Sequence, residues 1–183
     1  KKNVLMSPYT IMDLVNAVKM GDGNPEFYDI NRNIKNFYPN LNFFKKKLAS
    51  GRYAALIITH YHLNYTDIAV LYELCKKNNT KLIEDCAISY GSQYHNGINI
   101  GTYSDFSVFS NSLFKFSNYL WGGFIHSKLK SDMRYFEKIM HDYPSLNIFL
   151  YRAQILKYFK FSFFSSKPIF NFILLPFLKI DFF

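Results

Sequence analysis

The sequence predicts an α/β fold, a mainly parallel sheet flanked by helices, on three observations. Short continuous apolar runs such as AALII (54–58) read as strands buried on both faces, as parallel strands are. Between these runs lie segments with apolar residues at helical spacing. The two kinds of segment alternate along the chain, and crossovers of one hand turn such an alternation into a parallel sheet.

Taken in order, NVLM (3–6) reads as a short buried strand. TIMDLVNAVKMGDG (10–23) sets Ile11, Leu14, Val15 and Val18 on one helical face and closes at Gly21. PEFYDIN (25–31) is the second strand, with Asp29 near its end. Residues 31–50 are polar and irregular, apart from a short helix over 41–49. YAALIITHYH (53–62) is the strongest strand. In DIAVLYELCKKNN (67–79), Ile68, Leu71, Tyr72 and Cys75 line one helical face, and Lys76 and Lys77 occupy the last turn, where cations suit the helix dipole. KLIEDCA (81–87), GTYSDFSVFSN (101–111) and GGFIHS (122–127) follow as strands, and KSDMRYFEKIMHDY (130–143) as a helix.

Beyond this point the texture changes to aromatic-rich runs, LNIFLYRAQILKYFKFSFF (146–164) and PIFNFILLPFLKIDFF (168–183). We therefore divide the chain into 1–128 and a helical, aromatic-rich region 129–183. No uninterrupted apolar stretch reaches the ~18 residues of a spanning helix, and Pro168 and Pro176 cut the last run. Two readings stay open for 151–183. It is an interfacial helix with Lys157, Lys160 and Lys167 at the lipid boundary, or it docks on a further domain or subunit.

Composition sets bounds on function. A chain of 183 residues with 49% hydrophobic content buries a real core and is not disordered throughout. The net charge of +9 favours anionic partners. The lysines come, however, with abundant Asn, Ile, Phe and Tyr, and Lys45-Lys46-Lys47 is the densest basic run, so nucleic acid is not an expected partner. Cys75 and Cys86 lie in apolar company and form no CxxC pair, which reads as buried thiols in a reducing cytoplasm. No signal peptide is visible, and a start at Lys1 rather than Met suggests native residues upstream. His60 and His62 share one face of a strand, but no third ligand lies near them, and no metal is expected.

The sequence has no GxGxxG after the first strand, no P-loop, no GxSxG and no HExxH. One arrangement rises above this background. Asp85 ends a strand; Ser110 and Lys115 follow in FSNSLFKFSNYLWGG (109–123), closed by Trp121-Gly122-Gly123. In order and spacing, LIEDCA, GTYSDFSVFSNSLFK and WGG resemble the DegT/DnrJ/EryC1/StrS group of pyridoxal-phosphate-dependent sugar aminotransferases. VLMSPYTIMDLVNAVKMGDGNPEFYDI (4–30) and ALIITHYHLNYTDIAVLYELCKKNNTKLIEDCA (55–87) are similar to its earlier units. The resemblance covers residues 3–127.

That resemblance implies a pyridoxal-phosphate-dependent transferase fold, with 1–128 as most of a large cofactor domain. It implies Lys115 as the Schiff-base lysine, Asp85 as the partner of the pyridine nitrogen and Ser110 as a phosphate ligand. Thr10 falls near the cofactor, His60 on the histidine that ends the preceding strand, and Glu84 is structural. A lysine amine and a carboxylate are what this chemistry needs, the first to hold the cofactor and move protons, the second to keep the ring nitrogen protonated. Two cofactor-facing positions depart from the family. Ile11 stands where it has a stacking aromatic residue, and Ile88 where it has a glutamine for the ring hydroxyl. The family's phosphate loop falls before residue 1, and most of its small domain is absent or replaced.

The implied function is amino transfer, from glutamate, to a keto sugar on a nucleotide carrier, serving lipopolysaccharide, capsule or other polysaccharide synthesis. The implied assembly is a homodimer in the cytoplasm, with peripheral membrane contact through 151–183 as an extension. Ile11 and Ile88 raise an alternative, a non-catalytic relative acting as a binding or regulatory partner.

Overall fold

A computed structural model describes residues 2–30, 38–61, 68–112, 115, 122–142, 147–164 and 166–169. Six strands form one sheet: β1 (Lys2–Met6), β2 (Gly23–Phe27), β3 (Tyr53–Thr59), β4 (Lys81–Asp85), β5 (Phe106–Ser110) and β6 (Gly123–Ser127). Their order is β2-β1-β3-β4-β5-β6. All neighbours are parallel except β5 and β6, which pair antiparallel from Phe106↔Ser127 to Ser110↔Gly123. The α/β, mainly parallel expectation therefore holds.

The helices are α1 (Met12–Met20), α2 (Leu41–Leu48), α3 (Ile68–Lys77), α4 (Lys130–His141), α5 (Ile148–Phe164) and the short α6 (Lys167–Ile169). Asn40 caps α2, its side chain accepting the Phe43 N–H at 3.0 Å. Strand residues alternate between the two sheet faces. Leu5, Leu56, Ile58 and Leu82 join Phe44 and Leu48 of α2 and Ile68, Leu71 and Cys75 of α3 in one buried cluster. Each fully buried Leu or Ile there contributes about 1.5–3 kcal/mol of transfer free energy. The opposite face carries Val4, Ala55, Ile57, Ile83 and Val108, which with α1 line an open hollow of about 690 Å3. Its lining is chiefly apolar, with Lys2 and Asp22 as its charged members.

The chain gathers into two compact units, Lys1–Lys138 and Ile139–Phe183. In the second, α5 exposes apolar side chains along its length, among them Phe149, Leu150, Leu156, Phe159 and Phe163. No helix among the described residues is long and apolar enough to cross a membrane.

Three boundaries differ from the sequence expectation. β2 spans Gly23–Phe27 rather than 25–31, so Asp29 lies beyond it. Pro25 pairs with Val4 inside β2, which is an edge strand where a missing N–H costs no ladder bond. β3 ends at Thr59, where the Tyr38 hydroxyl donates to the Thr59 carbonyl. β5 starts at Phe106 rather than 101, because the N–H groups of Gly101 and Ser104 turn instead to the Glu84 carboxylate. His62 and Trp121 lie outside the described residues, as does most of 168–183.

Candidate active site

Parallel strands deliver the segments that leave them to one edge of the sheet. From β1 the chain steps outward to β2, then crosses back to β3 on the other side. Such a reversal opens a crevice outside the carboxyl ends of the strands. Here the crevice is a cavity of about 470 Å3. Pro8, Tyr9, Thr10 and Ile11 line it after β1, and Thr59 and Tyr61 at the end of β3. Asp85, Ala87 and Ile88 line it at the end of β4, and Lys115 after β5.

The two adjacent acids of β4 serve opposite faces, as the two-residue period of a strand requires. Asp85 shares a face with Ile83 and lines the cavity, its Oδ1 accepting the Ala87 N–H at 3.1 Å. Glu84 shares a face with Leu82 and is fully buried. Its Oε1 accepts the Ser104 N–H at 3.0 Å. Its Oε2 accepts the Gly101 N–H at 3.2 Å, His60 Nε2 at 2.7 Å and the Tyr94 hydroxyl. Gly101 has φ +89°, and a Cβ there would come 2.5 Å from the Phe109 ring, so glycine is required for the turn to reach Glu84.

Burial alone would raise the Glu84 carboxyl, but His60, Tyr94 and Ser104 outweigh it and hold it at about 2, below its ordinary 4.5. A depressed carboxyl stabilises the fold above its unfolded pKa and loses that contribution as pH falls toward the folded one. Acid denaturation should therefore show a stability loss as pH falls below ~4.5 that Glu84→Gln lacks.

Five residues named from the sequence, Thr10, Ile11, Asp85, Ile88 and Lys115, line this one cavity. Ser110 ends β5 and is not among the lining residues; its hydroxyl lies 3.1 Å from that of Ser112. His60 turns to Glu84, and no His60/His62 metal pair can be described. His60, Glu84 and Cys86 do bring potential ligand atoms within 4.8 Å of one another. Both Glu84 oxygens already accept hydrogen bonds, and burial, then the charges of Glu84 and Asp85, raises the Cys86 thiol and keeps it protonated. The cluster is a hydrogen-bonded core.

Sequence reasoning missed Tyr9 and Tyr61, whose rings meet edge to face at 5.2 Å beside the cavity. Their place in the first residues after β1 and β3 was the available signal.

A family model, described as the DegT/DnrJ/EryC1/StrS aminotransferase family, matches residues 1–132. The chain belongs to this family. GDP-perosamine synthase of Escherichia coli O157:H7 is 30% identical over 107 residues, which is 58% of this chain and 28% of that protein. The aminotransferase TlmJ of Streptoalloteichus hindustanus shares the fold, with TM-score 0.66 and 23% identity over 75% of this chain and 36% of that one. So does Helicobacter pylori PseC, an aminotransferase in pseudoaminic acid biosynthesis, with TM-score 0.63 and 22% identity over 71% and 34%. The chain thus spans 28% of the curated relative and about a third of these solved chains.

Membership of the DegT/DnrJ/EryC1/StrS family implies pyridoxal phosphate as cofactor. The residues present fit it, because one cavity at the carboxyl edge of the sheet holds a lysine, a carboxylate and apolar cover. Ile11 and Ile88 supply apolar surface where the family has an aromatic ring and an amide.

Proposed function

We propose that this chain carries the cofactor site of a sugar aminotransferase that moves an amino group from glutamate to a keto sugar on a nucleotide carrier, for polysaccharide or lipopolysaccharide synthesis. The observation that supports it is Lys115 and Asp85 lining the same cavity. The cofactor would supply an electron-poor ring that accepts charge when a proton leaves the substrate carbon. Lys115 would hold the cofactor through its amine and move the proton to and from that carbon. Asp85 would keep a proton on the ring nitrogen, and its bond from the Ala87 N–H fixes one carboxylate oxygen in place. Thr10, which lines the cavity, we assign near the cofactor, and Ser110, at the end of β5 and outside the lining, to its phosphate. Ile11 would cover a face of the ring, and Ile88 would lie by its hydroxyl, both as apolar lining of the cavity. Residues 1–128 serve as the cofactor domain, and a second copy of the chain completes the site as a homodimer in the cytoplasm.

Formation of 2-oxoglutarate from glutamate, dependent on an added nucleotide-linked keto sugar, tests this reading. Turnover that proceeds equally without the sugar would remove the proposed acceptor.

Peripheral membrane contact through 151–183 belongs to the same reading. Over Ile148–Phe164, α5 carries Arg152, Lys157 and Lys160 with no acid, among exposed aromatic side chains. That pairing suits an anionic lipid surface, to which each basic residue contributes about 1 kcal/mol. Lys157→Glu with Lys160→Glu should weaken co-sedimentation with anionic vesicles by about tenfold or more. Unchanged co-sedimentation would dismiss the contact.

A further inference from the structure

The end of β4 and the loop that follows it carry three cavity-lining residues, Asp85, Ala87 and Ile88. This stretch is fastened to a single residue behind the cavity at two points, one through its backbone and one through a side chain. The His60 N–H donates to the Asp85 carbonyl at 2.9 Å, and the His60 carbonyl accepts from Ser89 Oγ at 2.9 Å. His60 is itself fully buried and is gripped through its ring by Glu84, at 2.7 Å. A carboxylate only accepts, so the ring proton sits on Nε2. Glu84 is anchored in turn by the N–H groups of Gly101 and Ser104, in the turn that leads into β5. One buried carboxylate thus ties the end of β3, the Asp85 loop and the approach to β5, yet it touches nothing in the cavity.

We propose that Glu84 and His60 form a clamp of positioning residues, holding the 85–89 loop so that the Asp85 carboxylate keeps its aim into the cavity. The clamp acts on the loop whether or not cofactor is bound; its consequence for the cofactor rests on the function proposed above. Fixing a group that must meet one ring atom removes motion that would otherwise weaken that contact.

Amide hydrogen exchange at Cys86, Ala87 and Ser89 reads the clamp directly in cofactor-free protein. The chain is compared with Glu84→Gln, His60→Asn and Leu71→Ala, the last a core change in α3 that takes no part in the hydrogen bonds of Glu84 or His60. Exchange at these three amides should rise about tenfold in both clamp variants, beyond any rise in α3, while Leu71→Ala shows no such local excess. Pyridoxal phosphate affinity should weaken about tenfold in the same two variants. Parental exchange in a folded clamp variant overturns the proposal, as does an equal local rise in Leu71→Ala. If one clamp variant fails to fold, the other decides. If both fail where Leu71→Ala folds, the pair holds the core and not the loop, which also overturns it. If the parent captures no cofactor while exchange rises as stated, the clamp stands and the cofactor assignment fails.

Discussion

Lys115→Ala should fold like the parent and capture no pyridoxal phosphate covalently. Lys115 lies outside every strand and helix, and its described hydrogen bond is a backbone one, N–H to the Ser112 carbonyl at 3.2 Å. Alanine keeps that backbone bond and removes the side chain that lines the cavity, its amine included. Melting temperature should therefore stay close to the parent's. In the proposed function this amine holds the cofactor and moves the proton, so residual amino transfer should fall by about 10²–10⁴-fold. Parental turnover in this variant would move the chemistry to another residue.

Asp85→Asn should have the second largest effect, and of a different kind. The amide is isosteric and its oxygen can still accept the Ala87 N–H, so the loop should keep its shape. What disappears is the negative charge that the proposed function sets beside the ring nitrogen. Without it the nitrogen of a bound cofactor would lose its proton, and the ring would accept charge poorly. Turnover should fall by about 10²–10³-fold, the scale of losing one preorganised electrostatic contact. Substrate KM should change far less. Spectral titration of the bound cofactor separates this from misfolding, because a folded Asp85→Asn should still show covalent cofactor with an altered pH dependence.

The two acids of β4 show what was legible in the sequence. Alternation along a strand is enough by itself to send Glu84 and Asp85 to opposite faces. The same periodicities located β1, β3, α1 and α3 to within a few residues, because burial on one face leaves its mark on composition. Strand ends were harder to read. β5 starts late because Glu84, twenty residues away from Ser104, captures the N–H groups that would have continued the ladder. β3 stops early because the Tyr38 hydroxyl binds the Thr59 carbonyl across a long separation. Such tertiary hydrogen bonds leave no periodic trace. Tyr9 and Tyr61 escaped notice for the same reason, since loop residues acquire a role from where the sheet puts them. Ser110 illustrates the converse: its spacing from Lys115 is legible, but its hydroxyl faces Ser112 rather than lining the cavity.

Lys115 is the residue proposed to take the cofactor. Incubation with pyridoxal phosphate, reduction with borohydride and peptide mapping by mass spectrometry test it most directly. A visible absorbance band that disappears on reduction, with the added mass on the peptide containing Lys115, is the predicted result. No band, or a label spread over surface lysines such as Lys45 and Lys76 with Lys115 unmodified, would contradict it.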